Sequence, residues 1–238
     1  GNQAFVSQHV GDLENRATYE FFQKTIGHLQ RILDLTPEII AHDMHPDYLS
    51  TRYALEECEL QPVRVQHHHA HIAACLAENQ ADGPVIGLAF DGTGLGPDNT
   101  IWGGEILVAD YTGFTRAAHL NPVPMPGSAA AIKAPWRMAV SHLRAAFGEE
   151  LGSLGLPLFQ SVTPKQLAVM LTMMERQINS PLTSSLGRLF DAVSAIIGLR
   201  GQVAFEGQAA MELEMIADDS ESGHYDFSWD GKDEQPLC

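Results

Sequence analysis

VRVQHHHAHIAACLAE, residues 63–78, passes from a β-branched strand pattern at Val63 to Val65 into a helical one from about His67 to Glu78, with almost nothing between them. Reading backward, Asp47 onward is helical through Glu59, and Ile39 to Ala41 make a compact apolar strand. Before that, Phe22, Ile26, Leu29 and Leu33 recur at helical spacing in a helix that Asp12 can cap. Ala4 to Val6 reads as a further short strand. Three strand-then-helix units in a row argue for an α/β protein with a parallel sheet. Ligands are expected beyond the carboxyl ends of such strands, which is where His67 stands.

Forward of the run the pattern changes. After the turn Ala81-Asp-Gly-Pro84, Val85 to Phe90 is a buried-type strand, Asp91-Gly-Thr-Gly-Leu-Gly96 a tight loop opening a hairpin, and Ile101 to Ala109 a second strand. Gly113 to Leu120 completes a meander. Three prolines in Asn121-Pro-Val-Pro-Met-Pro-Gly127 predict a connector without regular structure, because proline fixes φ and lacks a donor. Helices follow. Thr163-Pro-Lys-Gln166 is a capping box, with Leu167, Met170, Leu171, Met174 and Ile178 as its inward stripe. Leu186, Leu189, Phe190, Val193, Ile196 and Ile197 mark the next helix, ended near Gly198. The acidic tail from Asp218 holds one candidate strand, Tyr225 to Trp229.

The chain has 238 residues; 14 basic against 30 acidic side chains leave a net charge of −16, which excludes a broad basic surface for nucleic acid. With 45% hydrophobic and 18% charged residues it belongs to the globular class rather than the disordered one. The apolar run Val85 to Phe90 is far below the roughly 20 residues that cross a bilayer, and no signal-peptide pattern opens the chain, so a soluble protein without a membrane partner is expected. Cys58, Cys75 and Cys238 are odd in number and widely spaced, which fits a reducing, cytoplasmic setting. Cys58 and Cys75 fall in helical patterns, where a free thiol acts as a small buried hydrophobe.

The densest chemistry is Gln66-His-His-His-Ala-His71. On a helix, His67 and His71 lie one turn apart on one face and can share a metal, given a third ligand such as a carboxylate. The spacing alone leaves open that some of the four histidines only cap or pack. It is not the HExxH of zinc proteases, since His68 stands where the glutamate would be. Asp91-Gly92-Thr93-Gly94 follows a strand and can present amides and a hydroxyl to a phosphate; it lacks the lysine of a P-loop, and a hairpin turn would read the same way. A second glycine loop, Gly201 to Gly207, carries Glu206 ahead of a helix, where it could address a ribose or simply cap.

With these residues the chain resembles the HypF family of carbamoyltransferases that mature nickel–iron hydrogenases, specifically part of its transferase domain. The matching stretches include Ser7 to Asn15, Asp43 to Thr51, Val65 to His71, Leu88 to Gly94, Pro135 to Ala139, Gly187 to Val193 and Phe205 to Glu212, nearly the whole chain. The resemblance implies an actin/Hsp70/sugar-kinase-like (ASKHA) bilobal fold of duplicated ribonuclease H-like units, truncated at both ends. Residues 1–82 would be part of the first lobe, with the His motif, and 83–238 part of the second. The resemblance further implies transfer of a carbamoyl group from a carbamoyl adenylate, itself derived from carbamoyl phosphate and ATP, to the C-terminal cysteine thiolate of a HypE partner.

On this resemblance His67, His71 and Asp91 are the catalytic candidates, and His67 and His71 the ligands of a divalent zinc or iron. Asp91, Gly92, Thr93, Gly94, Asp191, Glu206 and Gly207 would bind ATP, AMP or the carbamoyl adenylate, with magnesium. The family's Gly-Gly-Asp after the proline-rich connector is here Gly127-Ser128-Ala129, and its glutamate before Pro135 is Ala134. The family's glycine motif and later aspartate ligand would fall beyond Cys238. Two alternatives remain: the related tRNA threonylcarbamoyladenosine transferases, against which the −16 charge weighs, and a noncatalytic piece that only binds nucleotide or partner.

Overall fold

The computed structural model describes residues 3–13, 15–226 and 228. The chain divides into two compact units, residues 1–67 and 68–238. In the first, helix α1 (Arg16–Ile32) starts at Asn15, whose side chain accepts from the Thr18 amide at 3.0 Å. Asp12 does not cap it with its carboxylate; its backbone carbonyl accepts instead from the Thr18 hydroxyl. Ala4 to Val6 form no strand: all three residues are exposed, and among the described residues no strand pairs with them, so water satisfies their backbone groups.

Strands β1 (Ile39–Asp43) and β2 (Gln61–Val65) pair in parallel, Asp43 opposite Val65, as expected from the alternation. The helix expected across residues 47–59 is shorter: α2 (Leu49–Arg52) runs into a π-helical turn, Tyr53–Glu57. Glu57 accepts from Tyr19 and Gln23 of α1, which ties that turn down. The parallel pair brings Asp43 to the sheet's carboxyl end beside His67, the first residue of α3 (His67–Glu78).

The second unit is a five-stranded mixed sheet with helices. Strand β3 (Val85–Leu95) pairs antiparallel with β4 (Ile101–Ala109), which pairs with β5 (Phe114–His119). The other end of β4 meets β7 (Leu182–Thr183) in parallel, and β6 (Val123–Pro124) adds to β7. The proline-rich connector therefore does hold a short strand, in which Val123 pairs with Thr183 and Pro124 with Leu182. The loop read at residues 91–96 is also corrected. The strand continues to Leu95, and the turn lies at Gly96 to Thr100.

Helices α4 (Ala129–Lys133), α5 (Trp136–Phe147), α6 (Leu158–Ser161), α7 (Pro164–Glu175), α8 (Leu186–Ile196) and α9 (Gln208–Met215) follow. The capping box at Thr163 and Gln166 forms as expected, and Met170 and Met174 are buried, but Ile178 lies beyond the helix and is exposed. In α8 the inward face is not the apolar stripe. Arg188, Asp191, Ala192, Ser194 and Ala195 are buried, while Phe190 and Ile197 face out. Apolar periodicity cannot see a buried polar face. Cys75 is exposed rather than buried, and Cys58 follows the π turn in extended backbone. Of the expected strand at Tyr225–Trp229, Phe227 and Trp229 lie outside the described residues; Tyr225, Asp226 and Ser228 form no strand.

Among the described non-glycine residues with positive φ, Ser128 bears on the family resemblance. Ser128, before α4, has φ 49° and ψ −119°, a conformation that glycine adopts freely and L side chains do not. This accounts for the glycine that the family resemblance places there. Strain of this kind costs roughly 1–3 kcal/mol, part of it offset because glycine loses more entropy on folding. Ser128→Gly is expected to raise the unfolding free energy by about 1 kcal/mol in urea titrations; an equal or lower stability would remove the strain.

Candidate functional site

Helix α3 divides its four histidines by burial. His68 is fully buried, its ring 6.0 Å from Trp102, and His69 bonds the Asp110 carbonyl at 2.7 Å beside Phe114. These two pack within the second unit, His68 in its interior and His69 half-buried. His67 and His71, one helical turn apart, face the opposite way, with 26% and 61% of their side chains exposed. His71 Nε2 lies 3.7 Å from Asp91 Oδ2, and one ligand atom from each of His67, His71 and Asp91 falls within 4.8 Å of the others. Two imidazoles and a carboxylate suit zinc or non-haem iron.

His67 has a dedicated orienting partner, Asp43, whose Oδ2 is 2.7 Å from Nδ1. Burial pulls the Asp43 pKa up, but the bond to His67 and the His45 amide more than offset this and hold it below the usual carboxylate value. A carboxylate that accepts from Nδ1 fixes the tautomer and leaves Nε2 for a ligand. Sequence spacing did not single out Asp43; its place at a strand end in the parallel pair was the signal that could have.

Asp91 stands in a bulge. Phe90 is paired with Gly104 and Gly94 with Trp102, so Asp91, Gly92 and Thr93 stand against Gly103 alone. Such bulges re-aim side chains beside active sites. Gly103 makes it possible: at φ 154°, a Cβ there would come within 2.5 Å of the Asp91 carbonyl. Asp91 Oδ1 accepts from the Gly92 amide at 2.6 Å, and the Ser185 hydroxyl lies 2.8 and 2.7 Å from the Asp91 and Gly92 carbonyls. Ser185 is also the N-cap of α8, accepting from the Arg188 amide. Gly187 completes the clasp, because a Cβ there would sit 2.9 Å from the Gly92 Cα.

Beneath the bulge lies a buried network. Glu105 accepts from the Gly103 and Gly104 amides, from Ser184 at 2.5 Å and from Arg116 at 2.6 Å. Arg116 stacks 4.1 Å over Trp102 and reaches Asp98. Glu105 and Arg116 are almost fully buried, a charged pair in the middle of a strand pairing that apolar patterning passes over.

The nucleotide candidates converge only in part. Gly92, Thr93 and Gly94 belong to the bulge. Asp191 sits one turn along α8 from Arg188, its Oδ2 3.1 Å from Arg188 Nε. A Cβ at Gly92 would meet Arg188 Nη2 at 3.6 Å and Glu206 Oε1 at 4.0 Å. Gly207, at φ 77°, is the N-cap of α9, and Arg200 holds that helix through Glu212 at 2.6 and 2.8 Å. Neither Ser185 nor Arg188 emerged from sequence reasoning, although a serine before a periodic helix is an N-cap signal.

Burial pushes the Asp191 carboxyl up to about 6; Arg188 opposes the rise and the nearby Glu206 charge adds to it. The folded state therefore holds this proton more tightly than the unfolded chain. The resulting stabilisation is complete below the ordinary carboxylate range and fades as pH rises through about 6. A carbon-13 NMR titration of Asp191 is expected to show a midpoint near pH 6 that falls in Glu206→Gln. An unchanged midpoint would detach Glu206 from this carboxyl.

Comparison with known proteins adds an independent line. The family described as "HypF Kae1-like domain" matches residues 1–78, and "Carbamoyltransferase, Kae1-like Domain, second subdomain" matches residues 87–237. Carbamoyltransferase HypF2 of Cupriavidus necator is 47% identical over 224 residues, 92% of this chain and 27% of that protein. Carbamoyltransferase HypF of Rhizobium leguminosarum is 47% identical over 216 residues, 91% of this chain and 28% of its own length. The chain is also similar to a crystal structure of full-length HypF in a phosphate- and nucleotide-bound form, with TM-score 0.85 and 43% identity over 93% of this chain and 34% of that one. The chain thus spans about a third or less of these relatives. It belongs to the HypF carbamoyltransferase family, in the part formed by the Kae1-like domain.

Proposed function

We propose that this chain provides the carbamoyl-transfer site of a protein that matures nickel–iron hydrogenases. It binds a carbamoyl adenylate derived from carbamoyl phosphate and ATP. The C-terminal cysteine thiolate of a HypE-like partner attacks the carbamoyl carbon; a C–S bond forms, the bond from that carbon to the phosphate oxygen breaks, and AMP leaves with the electron pair. The observation that carries this reading is the convergence of His67, His71 and Asp91 beside a bulged strand in a member of this family. An ATP-bound state, with magnesium on the phosphates, is supported by the nucleotide in the solved relative.

His67, His71 and Asp91 would hold a zinc or iron ion, which would supply Lewis-acid chemistry there. The chain's own residues do the positioning. Asp43 keeps His67 in one tautomer, and Ser185 fastens the bulge at Asp91 and Gly92. The amides of Gly92, Thr93 and Gly94 serve as donors to phosphate oxygens. Asp191, Glu206 and Gly207 address the nucleotide's ribose. Because the nucleophile is the partner's thiolate, no serine or cysteine triad is needed.

We read residues 1–82 and 83–238 as parts of the two lobes of an actin/Hsp70/sugar-kinase-like fold. Our reading of a cytoplasmic setting is supported by the odd number and wide spacing of the cysteines; among the described residues no helix is long and apolar enough to cross a membrane. The −16 charge favours a protein thiol over tRNA as acceptor.

In the full-length protein, His67→Ala and His71→Ala are each expected to lower carbamoylation of the partner's terminal thiol at least 100-fold by intact mass, without unfolding the chain. Asp43→Asn is expected to weaken metal binding about 10–100-fold. Undiminished transfer by both histidine variants would overturn the assignment.

A further inference from the structure

Arg188 occupies an unusual position for a cation. It lies in the first turn of α8, where the unpaired amides already place partial positive charge, and its side chain is only 4% exposed. Taking a guanidinium out of water is costly unless its donors are satisfied. Here Nε and Nη1 are both buried and have no hydrogen-bond partner among the described residues. Asp191 at 3.1 Å supplies charge without an aligned hydrogen bond, and burial pulls that carboxyl toward its neutral form.

Two positive elements, the helix end and the guanidinium, thus lie together beside the Asp191 and Glu206 carboxylates, and two donors of the guanidinium make no hydrogen bond to either. Both address the same point. Gly187, in the first turn, presses on Gly92, and Arg188 Nη2 comes to 3.6 Å of where a Gly92 Cβ would stand. The arrangement is that of an oxyanion site: a helix N-terminus, loop amides and a planar fork of donors.

We propose that Arg188 is a phosphoryl-binding residue, donating to an anionic oxygen of the nucleotide held at the Asp91–Gly94 bulge. This rests on the nucleotide reading above and extends it, since the donor set recognises the phosphate rather than the base or ribose. A charge-assisted contact of this kind is worth about 10–100-fold in affinity. The arginine should therefore make AMP bind more tightly than adenosine.

Calorimetric titration of AMP and of adenosine against wild type, Arg188→Gln and Arg188→Lys tests this. The expected result is a loss of about 10–100-fold in AMP affinity for Arg188→Gln, at least tenfold greater than any loss for adenosine. Arg188→Lys keeps the charge but not the fork, and should lose severalfold for AMP alone. If Arg188→Gln does not fold, judged by circular dichroism, the lysine variant decides. Equal weakening of both ligands, or no weakening of AMP, would make Arg188 a structural residue and overturn the proposal. A wild type that binds neither ligand would instead remove the nucleotide reading on which it stands.

Discussion

The buried carboxylate of Glu105 is the interaction on which the site depends. It is fully buried, and it is tolerable there because both oxygens are satisfied: Oε1 accepts from two amides of its own strand and from Ser184, and Oε2 from Arg116. Removing one partner of such a pair generally costs about 3–5 kcal/mol, because a charge is left unpaired in a poor solvent. The network joins the strand after the turn, the strand beside it and the residues that open α8. It therefore fixes where Ser185 stands, and Ser185 in turn holds the Asp91 and Gly92 carbonyls.

The bulge follows from this arrangement. A regular strand would alternate residues 91–93 across the two faces, whereas here three residues stand against Gly103 alone and Asp91 is re-aimed toward His71. The histidine helix is ordered by similar means. His68 and His69 are spent on packing against Trp102, Phe114 and Asp110, which fixes the helix rotation that leaves His67 and His71 available. Four histidines in five positions are thus two structural anchors and two candidate ligands, and neither pair would be placed without the other.

Much of this was legible in the sequence, for identifiable reasons. The helix at residues 67–78 and the strands at 39–43, 61–65 and 101–109 follow from strong apolar or β-branched patterns, and Thr163 with Gln166 announces a helix start. The pair His67 and His71 follows from helical spacing. What was hidden depends on contacts between distant residues. Ala4 to Val6 lacks a partner strand, and Val123 and Pro124 gained one only through residues 182–183. The polar inward face of α8, Arg188 and Asp191 above all, is invisible to a search for apolar stripes. Asp43 acquires its part only once β1 and β2 pair.

The central claim is that the histidine helix and the bulged strand make one site that receives both a metal and a nucleotide phosphate. The most direct measurement is a crystal structure of the chain grown with zinc and AMP, with anomalous scattering recorded at the zinc edge. The account predicts an anomalous peak bonded to His67, His71 and Asp91, with the AMP phosphate beside Gly92 and Arg188. Zinc held by other residues, or a nucleotide bound away from the bulge, would contradict it.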